Sequence, residues 1–173
     1  MSGKIVVDAS VARSSGDWNA LPPSATACRD ALLAILKYRL MAVMSPTLER
    51  EWDRHQSNFA TRWRVQMTIK GLVLKVPDGT HRRLSTALAA SGLSAARKKV
   101  AQKDFHLVSA ALATEKTILS NDDEARDIFA IAATEIEEFK KLVWVNPSNA
   151  HENCTHWLTQ GAKPEKQRYL CQS

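Results

Sequence analysis

The sequence predicts an α/β protein built on a parallel sheet, on three observations. Short apolar runs with β-branched residues recur along the chain: Ile5-Val6-Val7, Leu40-Met41-Ala42-Val43-Met44, Thr117-Ile118-Leu119 and Leu142-Val143-Trp144-Val145. The stretches between them have helical spacing, and alternation of the two is the pattern of βαβ units. The runs are apolar throughout, as strands covered on both faces are. At 173 residues the chain is one domain by length. Such a chain buries roughly 70% of its unfolded surface, so it needs neither disulfides nor a structural metal to fold.

The elements follow in order. Residues 4–8 form the first strand. Ser14-Ser15-Gly16-Asp17 and Pro22-Pro23-Ser24 are turn and loop chemistry. Ser24 or Thr26 caps a helix over about 25–38, with Ala31, Leu32, Ile35 and Leu36 on its apolar face. A strand at about 40–44 comes next. Ser45-Pro46 opens a helix over about 46–57, with Ser as N-cap and Pro in the first helical position. A helical stretch over about 58–71 has Phe59, Trp63, Met67 and Leu74 on one face. Pro77-Asp78-Gly79 is a turn, followed by helices near 81–90 and 93–101 split at Ser91-Gly92. Asp104 opens a helix over about 104–114. A strand at 117–120, a helix at about 123–133 and a last strand at 142–145 complete the alternation. Asn146-Pro147 stops that strand. This gives a main unit over residues 1–147, with a basic helical region at 58–101. A C-terminal part over 148–173 holds a short helix to about 160 and then a polar tail.

Four acids stand out: Asp8, Glu51, Asp104 and Asp122. Asp8 ends the first strand and Asp122 follows the strand at 117–120. In open α/β sheets, ligands bind beyond the carboxyl ends of the strands, where the strand order reverses. Asp8 and Asp122 therefore project to one rim, and Glu51 and Asp104 sit on helices that flank it. Isolated carboxylates at the ends of apolar strands are costly unless a cation gathers them. Clustered carboxylates also raise one another's pKa. Mg²⁺ or Mn²⁺ takes such oxygen ligands, activates water and stabilises charge on a phosphoryl oxygen. Each acid also has an ordinary reading. Asp8 would cap the loop after the first strand, and Glu51 would be a solvated helix residue like Glu49. Asp104 and Asp122 would be first-turn acids favoured by the helix dipole.

Charge is unevenly spread. From Arg54 to Lys103 there are eleven Lys/Arg and a single acid, Asp78, a local balance of +10 in a chain of net +6. A basic middle in an otherwise acidic chain points to a polyanion partner; the plainer reading is a set of solvated helix faces. Cys28, Cys154 and Cys171 are scattered and odd in number, which argues for a reducing compartment. No apolar run approaches the roughly 20 residues that span a bilayer, and Asp8 interrupts the first apolar stretch before it resembles a signal peptide. The expectation is a cytoplasmic protein with no membrane partner. His151, Cys154, His156 and Cys171 lack zinc-finger spacing. The six glycines are dispersed, so no phosphate loop is present.

Four segments taken in order resemble the PIN-domain nucleases. They are Ile5-Val6-Val7-Asp8-Ala9-Ser10, Ser45-Pro46-Thr47-Leu48-Glu49-Arg50-Glu51-Trp52, Lys103-Asp104-Phe105-His106-Leu107-Val108 and Ile118-Leu119-Ser120-Asn121-Asp122-Asp123. With the strand at 142–145, the resemblance spans residues 4–147. It implies a three-layer α/β/α sandwich with a central, mostly parallel sheet. It implies metal-binding, catalytic acids at Asp8, Glu51, Asp104 and Asp122, with Asp123 as an additional outer ligand. Glu51 is preferred to Glu49 because it precedes Trp52, as the family's Glu precedes an apolar residue. Ser120 matches the family's small hydroxyl residue, which supports a carboxylate or water. Ser10, near Asp8, is placed to bond a ligand oxygen or the phosphate.

The activity implied is that of a Mg²⁺- or Mn²⁺-dependent endoribonuclease acting on single-stranded or structured RNA. Many such proteins are VapC-like toxins, so an antitoxin protein and a second copy of the chain are implied partners. This chain is longer than the compact toxins, with extra basic helices between 58 and 101 and a tail beyond Pro147. Those departures bear on antitoxin pairing more than on nuclease chemistry. Arg62, Arg64, Arg82, Arg83, Arg97, Lys98 and Lys99 are the candidates for backbone phosphate contacts. The alternative is a catalytically inactive module of the same fold that binds RNA or a protein partner.

Overall fold

A computed structural model describes residues 3–171. Its sheet has five strands: β1 (Lys4–Val7), β2 (Met41–Met44), β3 (Val73–Lys75), β4 (Thr117–Leu119) and β5 (Val143–Val145). Their order is β3-β2-β1-β4-β5, and every pairing is parallel. The chain winds outward from β1 through β2 to β3, then crosses back to place β4 on the other side of β1. The reversal therefore lies between β1 and β4, where Val7 pairs with Leu119.

The helices are α1 (Ala9–Ser14), α2 (Pro23–Lys37), α3 (Pro46–His55), α4 (Asn58–Ile69), α5 (Arg82–Ala90), α6 (Ala95–Leu112), α7 (Asp123–Ala132), α8 (Glu137–Lys140) and α9 (Cys154–Thr159). α2 packs with α1, α4 and α9, whereas α6 packs with α5 and α7 and against β1, β2 and β4. The sheet is thus covered on both faces, giving the parallel α/β architecture that the alternation predicts and the three-layer α/β/α sandwich that the resemblance implies. Ile5, Val6 and Val7 are wholly buried, as unbroken apolar strands require. Trp52, Trp63, Trp144 and Trp157 all lie in the core. No helix among the described residues is long and apolar enough to cross a membrane.

Local chemistry explains several element ends. The Ser45 hydroxyl accepts from the Leu48 amide at 3.3 Å, with Pro46 in the first turn of α3. Ser57 and Ser94 cap α4 and α6 in the same way. Gly71, at φ +66°, ends α4: the Leu72 amide reaches back to the Met67 carbonyl at 2.8 Å, the closure of a Schellman motif. That closure frees residues 73–75 to pair with β2, so Leu74 belongs to strand β3 and not to the apolar face of the preceding helix.

Three further expectations are corrected. Ser14, expected in a turn, is the last residue of helix α1, which buries Ala9, Val11 and Ala12. The two helices expected at 93–101 and 104–114 are one, α6; no Gly or Pro falls between Ala95 and Leu112 to break it. Asp104 therefore sits in the middle of a helix and does not open one. The expected polar tail is docked. Ala162 and Arg168 are buried, Tyr169 bridges Val143, and the Leu170 amide donates to the Leu142 carbonyl at 2.9 Å. The Arg168 guanidinium lies 5.1 Å from the Trp157 ring, a cation–π contact that holds the segment against α9. Residues 172 and 173 of that tail lie outside the described residues.

The cysteines give a direct check on this packing. Burial pushes the Cys154 thiol up to about 12 and raises that of Cys28, while Cys171 is half-buried at the docked end. Because the thiolate is the reactive form, a thiol reagent is expected to label Cys171 in the native protein. Cys28 and Cys154 should react only on denaturation, as mass spectrometry of the labelled peptides would show. Rapid native labelling of Cys154 would contradict the docked C-terminal segment.

Candidate metal centre

The first turns after β1 and β4 build the centre. The Asp8 amide donates to the Leu119 carbonyl at 2.9 Å, continuing the ladder one residue past β1. Oδ2 of Asp8 then accepts the Ser10 hydroxyl at 2.5 Å and the Ser120 hydroxyl at 2.7 Å. The same two serine oxygens accept the amides of Asn121 (3.1 Å) and Asp122 (3.0 Å). Two hydroxyls thus tie the loop after β1 to the loop after β4 and fix one oxygen of Asp8. Neither serine uses the other oxygen. Asp8 is the N-cap of α1 by position, yet its side chain makes no capping bond. The capping account of this acid is therefore not what the geometry shows. Asp122 does cap: its Oδ1 accepts from the Ala125 amide at 2.8 Å at the start of α7.

Glu51 arrives from α3. Trp52 beside it is fully buried, and its indole N–H donates to the Val7 carbonyl at 2.9 Å. That bond anchors α3 over the carboxyl end of β1. Trp52 also stacks on Trp63, with centroids 5.6 Å apart. Glu51 is thereby held beside Asp8, whereas Glu49 faces elsewhere and pairs with Arg64 and Lys75. The Lys75 ammonium, with Arg64 behind it, keeps Glu49 below the usual carboxylate range. Glu51 has a different partner, His106 of α6, whose Nε2 lies 3.0 Å from Oε2. The approach is off the line of an ideal hydrogen bond, so the contact is an ion pair that lowers the Glu51 pKa. Burial is the largest influence and works against a charged His106, but the Glu51 carboxylate, the Lys103 carbonyl and Asp8 together outweigh it and raise the imidazole pKa. The Lys103 carbonyl, 3.1 Å from Nδ1, steadies the ring from the other side.

Asp104 is the decisive residue. It is 8% exposed, and its Oδ2 is buried without a hydrogen-bond partner. Its place in mid-helix removes the helix-dipole account, because that effect fades within the first turn. Burial pushes its carboxyl up to about 6; Lys103 opposes that, and Asp122 and Asp8 add to it. Leaving a buried carboxylate oxygen unsatisfied costs more than a typical net hydrogen bond gains.

All four acids line one cleft of ≈ 150 Å³ at the point where the strand order reverses. Ser10 lines it as well. Among the described residues, no group of three or more Asp, Glu, His or Cys side chains lies close enough together to hold a metal ion by itself. An open set of carboxylates around a cleft with room for an ion and several of its waters suits Mg²⁺ or Mn²⁺. Mg²⁺ in particular retains waters and takes only one or two protein carboxylates directly. The partnerless Asp104 oxygen and the free oxygen of Asp8 are donors of the right hardness. Asp123 does not line the cleft; its carboxylate accepts from the Asn146 amide at 2.9 Å.

The cations at the cleft are Arg13 and Lys103, with His55 beside them, not the seven basic residues singled out in the sequence. Arg64 is engaged by Asp53 at 2.7 Å and by Glu49, and Arg83 by Glu138. Arg62, Arg82, Arg97 and Lys99 are exposed and Lys98 is half-buried. Lys99 lies four residues before Lys103 on α6, so it shares a face with the cleft cation. His55 was legible, since it follows Glu51 by four residues on one helix, and Lys103 adjoins Asp104 in sequence. Arg13 was not legible without knowing that residues 9–14 are helical. Comparison with protein-family models, curated proteins and solved structures gives no match to this chain.

Proposed function

We propose that this protein is a Mg²⁺- or Mn²⁺-dependent endoribonuclease of the PIN type. The observation that carries the reading is the Asp104 carboxylate, buried, raised to about 6, with Oδ2 partnerless and Oδ1 only 3.9 Å from the Lys103 ammonium, in a cleft shared with Asp8, Glu51 and Asp122. A packed domain does not gain stability from such an arrangement; a dication accounts for it. Asp8, Asp104 and Asp122 would hold the ion, one or two of them directly and the rest through its waters, with Glu51 at the edge of the set. Bound there, it supplies a Lewis acid for a phosphoryl oxygen and lowers the pKa of water.

The remaining work falls to the chain. Ser10 and Ser120 hold the Asp8 carboxylate in one orientation. Trp52 keeps α3 seated so that Glu51 stays at the cleft. Arg13 and Lys103 put positive charge at the cleft, which draws in a phosphodiester and offsets the repulsion it meets from the acids. The exposed basic residues of α4, α5 and α6 extend that field away from the cleft.

The test is cleavage of single-stranded RNA by the purified protein with Mg²⁺ or Mn²⁺, set against EDTA. Cleavage under either ion and none in EDTA is the expected result. RNA binding without cleavage under both ions would replace the enzyme with a binding module. A second expectation concerns charge. Lys103→Ala and Arg13→Ala should each weaken RNA binding for all sequences alike. Each should also flatten the slope of log K against log salt by about 0.7 for single strands. Titrations at several ionic strengths check it, and an unchanged slope would remove these residues from the phosphate path.

A further inference from the structure

A second cavity, of ≈ 280 Å³, adjoins the acidic cleft and has a different chemistry. Lys103 lines both. His106 lines the second cavity, while its Nε2 lies against Glu51 of the first. One side chain therefore separates the two spaces. Pro77, Gln102, half-buried Phe105 and Ser109 line the second as well, with the Ser109 hydroxyl 3.1 Å from that of Thr80. At its edge, the Asp78 carboxylate accepts the Thr47 amide at 3.1 Å and the Thr47 hydroxyl at 2.8 Å.

This chemistry selects the occupant. Asp78, itself 3.9 Å from the Arg50 guanidinium, already occupies the Thr47 N–H at the start of α3, the backbone donor that a phosphate group would use there. A neutral, planar group with N–H donors is favoured. It would rest on the Phe105 ring, donate to the remaining acceptor positions of Asp78 and exchange hydrogen bonds with Gln102. The volume falls just below that of drug-sized pockets, which suits one ring system. An aromatic wall with a few fixed polar groups is how proteins hold an unstacked base of single-stranded RNA.

We propose that this cavity is a nucleobase subsite, receiving a base next to the phosphodiester held in the acidic cleft and setting the preferred sequence at the cut. The proposal rests on the endoribonuclease reading and gives it a specificity determinant. The subsite explains why the cleft's neighbour is aromatic and amide-lined although the surrounding surface is basic.

The experiment uses the full chain. Cleavage positions on a mixed-sequence single-stranded RNA are mapped for wild type, Gln102→Ala and Phe105→Leu. Binding of an RNA and of its copies with single abasic positions is measured in EDTA. Wild type is expected to favour one base beside the cut and to lose about tenfold in affinity when that base is removed, the scale of base–aromatic stacking. Both variants are expected to reduce the ratio between best and worst neighbouring base by about tenfold. Gln102 is exposed on a helix, so its alanine variant folds even if Phe105→Leu does not. Cleavage with no base preference, or a preference that survives both variants, overturns the subsite and leaves the endoribonuclease standing. No cleavage under either ion overturns both.

Discussion

Asp8→Asn is expected to lower metal-dependent RNA cleavage by about a thousandfold or more, with the fold intact. Asparagine has nearly the same shape. Its carbonyl oxygen can still accept the Ser10 and Ser120 hydroxyls that hold Asp8 now, and the backbone bond to Leu119 is untouched. What disappears is the negative charge and an anionic donor for the dication, a loss of about 4 kcal/mol at tenfold per 1.36 kcal/mol. A capping role predicts something else. Asn caps helices as well as Asp does, so the variant would then behave like wild type. Asp122→Asn tests the same point where a cap is present, since Asn can keep the bond from Ala125 while removing the charge. Glu49→Gln is the control, because Glu49 pairs with Arg64 and Lys75 away from the cleft. Rates measured on one RNA substrate, with circular dichroism on each variant, decide the matter. Equal losses in Asp8→Asn and Glu49→Gln would remove Asp8 from the centre.

Much of this centre was legible because two of its acids end or follow strands. Strand ends are fixed by the sharp change from an apolar run to polar residues, and the sheet order then carries Asp8 and Asp122 to one rim. Glu51 was legible through Trp52, whose burial and bond to Val7 set the helix face. Asp104 was placed at the rim correctly but for the wrong local reason. Its segment lacks a helix breaker, and reading it as a helix start hid that Asp104 lies in mid-helix on the buried face of α6, with Leu107, Val108 and Ala111. The short strand β3 was lost because Val73-Leu74 continues a helical apolar pattern. Only the positive φ at Gly71 ends it, and sequence periodicity does not report φ. The cationic side of the cleft was misjudged for a similar reason. Basic composition locates a charged region, but which members reach the cleft depends on helix phase. It also depends on whether an acid such as Asp53 or Glu138 already holds the side chain.

Without a divalent ion, Asp104→Asn is expected to make the protein more stable at neutral pH. The folded carboxyl titrates at about 6, above its ordinary value of 3.8. Between those values the folded state binds more protons than the unfolded state, so stability falls as pH rises through the window. Above the folded pKa the whole penalty is present. At 1.36 kcal/mol per pH unit that penalty is ~3 kcal/mol, as an order of magnitude. For a chain of this length, relief of that size raises Tm by roughly 5–10 °C. The variant's advantage should therefore be small near pH 4 and full at pH 7, measured by thermal unfolding in EDTA. Adding Mg²⁺ or Mn²⁺ should reverse the order. Wild type gains stability by mass action as the ion binds the folded state, and the variant gains much less. A residue kept for packing behaves in the opposite way, because its removal lowers Tm with or without the ion. If Asp104→Asn melts below wild type in EDTA at pH 7, Asp104 is structural and the centre loses the residue that argues for it most strongly. If it melts higher, and only wild type responds to the ion, the cleft is a site whose carboxylates cost stability and are held for the cation.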